Sequence, residues 1–407
     1  MIPVLPILIF LTVVTLLEVY GWQVVKTAIQ PQNLKQFKWI YWGATIFFYA
    51  LFFSYRPFLY KYLPHWLSVY YPMFFLLLAV VKLIAILFLL PEDMVRVTRF
   101  AISKITGNDE ITLNRSQFLS RLALGAAALP VGTLLYGMIA NAYNYRFHRI
   151  TLKFPNLPAA FDGMKLIQLS DIHSGSFTQS EPIKKVIEKI NEANADVIVF
   201  TGDLVNNVAS EMDDYLHVFA ALKAKHGVYS ITGNHDYGDY VEWGSEEDKK
   251  ENFDRFKSIH HKMGWDLLMN EHRVIEKAGE KIALIGIENW GTGRWTKYGK
   301  MHVAHKGTND IPFKILLSHN PQHWDAQVRP QYPDVDLTLS GHTHGAQLGV
   351  EEKWLRWSPV QYIYKQWAGL YQEGKQYLYV NRGFGFLFYP GRVGILPEVT
   401  EIILKRA

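Results

Sequence analysis

The sequence predicts two units of different kind: an all-α, membrane-spanning bundle over residues 1–145, then an α/β sandwich with two central sheets over residues 146–407. Three observations predict it. Charged residues are sparse up to about Arg146 and enter steadily after it. Long apolar segments lie before that point, and apolar runs of strand length that end in Asp, Asn or His lie after it.

The apolar segments are Ile2–Trp22, Trp39–Tyr55, Trp66–Leu90 and Leu122–Tyr143. A hydrocarbon layer about 30 Å thick needs about 20 helical residues rising about 1.5 Å each. The second segment is marginal by that measure, so a buried or re-entrant path is open for it. No basic residue precedes the first apolar run, which suits an anchor better than a cleaved signal peptide. Lys and Arg are retained on the cytoplasmic side of a membrane. Lys26, Lys35 and Lys38 stand in the first connection and Arg96, Arg99, Lys104, Arg115 and Arg121 in the third, whereas the second holds Arg56 and Lys61. The first and third connections are therefore expected to be cytoplasmic, with both termini and the soluble unit outside. That parity holds if the second segment spans.

Glu18 and Lys82 lie inside the first and third segments. Under this topology both charges fall at similar depth, where pairing would offset the cost of burying either. Separate snorkelling to the interface is the alternative. Ahead of the last segment, Asn114-Arg115-Ser116-Gln117-Phe118-Leu119 resembles a twin-arginine export motif with Ser116 in place of the second arginine. Basic residues flanking a membrane helix explain the same stretch.

A net charge of +5 with no long basic run gives no reason to expect a nucleic-acid partner. No protein partner is inferred either; the expected partners are the membrane lipid bilayer and a phosphorylated lipid or small-molecule substrate. The chain has no cysteine, which excludes disulfides, thiolate metal sites and thiol catalysis. Any metal must be held by His, Asp, Glu or Asn.

In the second unit, Lys165–Ser170 runs into Asp171-Ile172-His173, and Asp196–Thr201 into Gly202-Asp203. Val228–Thr232 leads to Gly233-Asn234-His235-Asp236, Lys314–Ser318 to His319, and Leu337–Ser340 to Gly341-His342-Thr343-His344-Gly345. Strands that deliver polar residues at their carboxyl ends are how α/β sheets build a site. Helical periodicity in Glu181–Asn194 and Glu211–Lys223 predicts βαβ units, and Arg273–Lys277 with Lys281–Ile287 flank Gly279 as a hairpin. A buried Asp or His at one strand end is usually bonded to nearby backbone. Anions and imidazoles recurring at one sheet edge would repel unless cations were bound.

In this order the motifs resemble the calcineurin-like metallophosphoesterases, over roughly Met164 to Lys405. The resemblance implies a four-layer αββα sandwich and two divalent ions about 4 Å apart. Asp171, His173 and His344 match the ligands of the first ion, Asn234, His319 and His342 those of the second, and Asp203 the bridging carboxylate. His235 matches the catalytic histidine that protonates the leaving oxygen or stabilises the transition state. Asp236 would orient that imidazole. Mixed nitrogen and oxygen ligands suit manganese, iron or zinc.

Ser/Thr protein phosphatases of this superfamily carry Asp-Arg-Gly after Gly-Asp and a glutamate after Gly-Asn-His. Here Leu204-Val205-Asn206-Asn207 and Asp236 follow instead, which argues against that activity. Asp171–Gly175, Ser318–Pro321 and Ser340–Gly345 are closer to bacterial membrane-associated phosphoesterases, among them a UDP-diacylglucosamine hydrolase type that acts on lipid-linked phosphate. That likeness implies a hydrolase of the bacterial inner membrane, cleaving a phosphoester or pyrophosphate of a lipid or envelope precursor; with the charge-based orientation, its catalytic domain is expected to be periplasmic. A tethered nucleotide or nucleic-acid phosphodiesterase and a non-catalytic metal-binding scaffold are the alternatives. Trp354, Trp357, Tyr362, Tyr364, Trp367 and Tyr371 crowd the stretch after the last ligand, with Phe384, Phe386, Phe388 and Tyr389 beyond. They suit either a headgroup interface or an aromatic core. Arg382 is the expected substrate-binding residue, and Arg392 either holds a second phosphate or solvates a loop.

Overall fold

A computed structural model describes residues 4–29, 31–54, 62–107, 117–291 and 298–407. It comprises two compact units, Met1–Tyr136 and Gly137–Ala407.

The first unit is helical: α1 (Val4–Ala28), α2 (Leu34–Ser54), α3 (His65–Thr106) and α4 (Gln117–Tyr136). A bilayer offers the backbone no hydrogen bonds, so apolar sequence of this length satisfies its own amides as helix. Among the described residues His65–Thr106 and Phe118–Asn141 are long and apolar enough to cross a membrane. The helices outrun the apolar segments. Helix α2 begins at Leu34, five residues before Trp39, because Lys35, Gln36 and Lys38 are good helix formers at its polar end. Helix α3 continues past Leu90 and Pro91 to Thr106, ending at Gly107 in the left-handed region, so Arg96, Arg99 and Lys104 lie on helix instead of in a connection. Arg56, Lys61, Arg115 and Ser116, with Ile2 and Tyr55, fall outside the described residues.

Val24, Ala85, Leu89 and Ala123 form the small apolar centre of the bundle. Glu18, 2% exposed, meets Lys82 in an ion pair, the first of the two alternatives. Its carboxylate also accepts from Tyr49 (2.7 Å), Tyr41 (3.0 Å) and Thr45 (3.3 Å). Full satisfaction is what makes a carboxylate tolerable among apolar side chains.

The second unit contains two six-stranded sheets. The first has the order β1-β14-β2-β3-β4-β5 and the second β12-β13-β9-β8-β7-β6; β10 and β11 form a separate hairpin. In the first sheet β1 is Arg146–Phe154, β2 Lys165–Leu169, β3 Val197–Phe200, β4 Val228–Ser230, β5 Trp265–Leu267 and β14 Glu398–Arg406. In the second, β6 is Glu271–Lys277, β7 Glu280–Gly286, β8 Lys314–Leu317, β9 Leu337–Ser340, β12 Gly369–Glu373 and β13 Gln376–Val380. The hairpin strands are β10 (Val350–Glu352) and β11 (Leu355–Trp357).

The strands are apolar on both faces because both faces are covered. Leu166, Val197 and Val199 of one sheet pack with Leu284, Ile315, Leu317 and Leu339 of the other. On the outer face of the first sheet, Ile167, Leu169 and Phe200 meet Ile183, Val186, Ile187 and Ile190 of α5 (Glu181–Glu192). Leu316 and Ile285 of the second sheet are covered by Met301, Trp324 and Val328. The alternation follows the two-residue period of a strand and yields the expected four layers.

The helix expected over Glu211–Lys223 is broken. A 3₁₀ turn at Ala209–Met212 and a single turn, α6 (Leu216–Phe219), stand in its place. Glu211 turns back to cap the amides of Asn206, Asn207 and Val208. A third helix, α7 (Glu246–Lys262), starts at Ser245, whose hydroxyl accepts from Asp248 N.

Candidate metal centre

Strands β2, β3 and β4 run parallel, as do β8 and β9, so within each sheet their carboxyl ends share one edge. The next residues on each chain are the candidate ligands. Asp171, His173, Asp203, His342 and His344 all have φ between +49° and +73°. Non-glycine residues avoid that region at a cost of about 1–3 kcal/mol each, and such strain concentrates at functional sites. Close approach of the loops depends on glycine: a Cβ at Gly341 would overlap Ser170 Oγ and Asp171 Oδ2, and one at Gly233 would overlap Asp203.

The expected residues converge into two groups, Asp171–His173–His344 and Asp203–His319–His342, with the ligating atoms of each group within 4.8 Å of one another. In the first, His173 Nε2 lies 3.0 Å from His344 Nε2, which lies 3.2 Å from Asp171 Oδ1. In the second, His319 Nε2 lies 3.2 Å from Asp203 Oδ2 and 3.3 Å from His342 Nδ1. Asp203 Oδ2 is also 3.6 Å from His173 Nε2, so one carboxylate oxygen stands between the two groups.

These side chains fit cations. His319 Nδ1 is 2.7 Å from the Thr201 carbonyl, an acceptor only, so a proton sits there and Nε2 is the nitrogen turned to the site, where a cation would displace its proton. Asn234 Nδ2 donates to Tyr240 Oη at 3.0 Å, leaving Asn234 Oδ1 buried without a partner. An orphaned buried amide oxygen, and imidazole nitrogens that face one another at 3.0 and 3.3 Å, are costly unless a positive centre satisfies them. The charges are strongly coupled. Burial opposes ionisation of Asp171 and Asp203, yet the charge of His344 beside the first and His319 beside the second hold both carboxylates below the usual range. Against burial, Asp203 lifts His319 to about 9, whereas burial and then His319 press His342 down to about 3.

His235 belongs to neither group. Its backbone N–H donates to Asp203 Oδ1 (2.9 Å), and its ring packs at 4.7 Å from Tyr240 and 5.0 Å from His173. Nδ1 donates to the Asn206 carbonyl at 2.7 Å, which leaves Nε2 as the working nitrogen. The imidazole is thus oriented by Asn206 and not, as expected, by Asp236. The Asp236 carboxylate accepts from four backbone amides: Gly233 (2.7 Å), Leu204 (2.8 Å), Asp203 (2.9 Å) and Val205 (3.3 Å). Adjacent residues of the loop point to opposite sides, so His235 faces the site while Asp236 lies beneath it, tying two ligand loops together.

Arg382 also differs from expectation. It is 4% exposed, and its guanidinium is divided between Glu398 Oε2 (2.6 Å) and Glu351, so it holds an internal ion chain instead of facing substrate. Arg392 is fully buried and clamps loop carbonyls, those of Arg382 (2.7 Å), Gly383 (3.2 Å), His344 (3.3 Å) and Gly385. Sequence reasoning missed Asn206, Glu211 and Tyr240. It noted Tyr364 as one aromatic of many, without its 2.7 Å bond to His342 Nε2. The one usable clue was Tyr240, six residues after Asn234; the others act through backbone groups or across the fold.

Residues 4–142 match the family described as "Probable Calcineurin-like phosphoesterase, transmembrane domain", and residues 164–346 match "Calcineurin-like phosphoesterase". The chain is 33% identical to the uncharacterized metallophosphoesterase YkuE of Bacillus subtilis, over 72% of this chain and 98% of that one. It is 30% identical to a zebrafish (Danio rerio) transmembrane protein with metallophosphoesterase domain, over 67% of this chain and 60% of that protein. A UDP-2,3-diacylglucosamine pyrophosphatase, LpxG of Chlamydia muridarum, is 24% identical over 63% of this chain and 89% of its own length. On its sequence motifs, its double-sheet fold and these matches, the chain belongs to the calcineurin-like metallophosphoesterases, as a membrane-associated member and a hydrolase.

Proposed function

We propose that residues 146–407 hydrolyse a phosphoester or pyrophosphate bond of a lipid-linked or envelope substrate, outside the cytoplasmic membrane of a bacterium, anchored by residues 1–145. The observation that carries the catalytic part is the position of Asp203 Oδ2, 3.2 Å from His319 and 3.6 Å from His173, between two ligand groups.

Asp171, His173 and His344 would hold one divalent ion, Asn234, His319 and His342 the other, with Asp203 shared. Manganese, iron and zinc all suit the mixed donors. Two such ions supply polarisation of the phosphoryl oxygens and activation of water. His235, with Nδ1 fixed on Asn206 O, holds a proton at Nε2 for the leaving oxygen. Glu211, capping Asn206 N at 2.5 Å, keeps that carbonyl in place. Tyr240 turns the Asn234 amide so that its oxygen faces inward. For the substrate class, the support is the apolar first unit and the likeness to a UDP-2,3-diacylglucosamine pyrophosphatase.

The test is a screen of the purified, metal-reconstituted full chain against phosphorylated lipids, UDP-linked lipids and nucleotides in parallel. Preference for the lipid substrates by kcat/KM is the expected result. Faster turnover of free nucleotides would replace this reading with a tethered phosphodiesterase.

A further inference from the structure

We propose that the β10–β11 hairpin and the turn after it form a lipid-surface element that seats in the headgroup–acyl boundary of the bilayer and presents membrane-resident phosphate to the metal centre. The proposal rests on the lipid-substrate reading for its purpose, though not for the seating itself.

Register pairs Glu352 with Leu355, so Lys353 and Trp354 form a two-residue tip. Trp354 is 80% exposed, Tyr362 76% and Ile363 70%, with Leu355 and Trp357 also exposed. A run of ten residues thus shows solvent five large apolar or amphipathic side chains, where isolated ones are the norm on a soluble surface. Trp and Tyr are the residue types that prefer a membrane interface. Exposed Lys353 and Lys365 flank the run and exposed Glu352 offsets one of them, so the aromatic side chains and not net charge carry the match to a bilayer.

The element is presented, not loose. Glu351 is held by Arg382, which is itself held by Glu398 of β14. Arg356 lies over the ring of buried Trp367 at 4.7 Å, and Ser358 Oγ donates to Gly345 O at 2.8 Å. Below the exposed side chains, Val360, Trp367, Ala368 and Ile395 make a small core against which Tyr364 packs. Tyr364, the residue after Ile363, reaches His342 Nε2 at 2.7 Å, so the exposed run ends at a candidate ligand.

The bilayer is the occupant favoured by chain length. The apolar helix Phe118–Asn141 ends four residues before β1 begins at Arg146. A linker that short extends at most about 3.5 Å per residue, which confines the sandwich to the neighbourhood of the membrane.

The test uses the full chain in vesicles of phosphatidylethanolamine and phosphatidylglycerol. Trp354→Cys and Tyr362→Cys, made singly in this cysteine-free chain, carry a fluorophore; Glu247→Cys on α7 is the water-exposed control. Labels at 354 and 362 should be quenched several-fold more by a lipid-borne quencher than the label at 247, and less by aqueous iodide. Equal behaviour at all three sites overturns the proposal. So does shielding from both quenchers that grows with protein density, because it marks an interface between copies. In a second measurement, Trp354→Ser/Tyr362→Ser should lower the ratio of kcat/KM for a phosphorylated lipid over that for p-nitrophenyl phosphate by about tenfold. If no lipid phosphate is cleaved while the labels are quenched from the lipid side, the substrate reading fails and the seating stands.

Discussion

At the scale of single residues, the site separates groups that touch the reaction from groups that hold the loops. His235 presents one free nitrogen and Asp236 presents none, although they are neighbours in the chain. Four amide N–H groups converge on the two Asp236 oxygens, and Asp236→Asn would aim an NH₂ at two of them. Leaving buried amide donors without their acceptor costs roughly 1–3 kcal/mol, so Asp236→Asn should lower stability by about 2 kcal/mol, read as a lower thermal midpoint. An unchanged midpoint with lost turnover would instead make Asp236 a participant in the chemistry. The motif order makes Asp171, Asp203, Asn234 and the five histidines His173, His235, His319, His342 and His344 legible from sequence because those residues closely follow strands. Asn206 was not legible, since it acts through its carbonyl, which every residue possesses.

At the scale of elements, the strands were readable and the helix ends were not. Apolar runs and their polar terminators marked β2, β3, β4, β8 and β9. The parallel pairing of β1 with β14, Arg146 with Glu398 through Phe154 with Arg406, joins residues about 250 positions apart and leaves no local pattern. Glu211–Lys223 reads as helical by periodicity, yet Glu211 gains more by capping three amides than by continuing a helix. The loop after β9 depends on Gly341, so Gly341→Ala should push Ser170 and Asp171 apart and lower bound metal along with activity. Metal content equal to wild type in that variant would show that the loop has room. Strand β14 carries a pH-sensitive link. Against burial, Arg382 pulls Glu398 from an ordinary value of 4.5 down to about 2. A depressed carboxylate stabilises the fold fully above its unfolded pKa and loses that contribution as pH falls. Stability should therefore decline between about pH 4.5 and 2, by up to about 3 kcal/mol from this group. Glu398→Gln should flatten that limb of a pH–stability curve; an equally steep limb in the variant would assign the loss to other carboxylates.

At the scale of the whole molecule, one chain carries an apolar helical unit and a phosphoesterase sandwich. The basic residues Arg96, Arg99 and Lys104 at the end of α3 should be cytoplasmic, and residues after Arg146 outside. Cysteines introduced at each place in intact cells should react with an impermeant thiol reagent only in the sandwich; the reverse pattern would invert the topology. The central claim, however, is that two cations share Asp203 while His235 binds neither, and metal analysis beside turnover tests it most directly. Asp203→Asn and His235→Ala are purified as full chains, their metal per chain is measured, and both are assayed on one generic phosphoester. The account predicts that Asp203→Asn loses metal and activity together, whereas His235→Ala keeps near wild-type metal with turnover reduced about 100- to 10,000-fold. Equal metal loss in both variants, or full activity in Asp203→Asn, would contradict it.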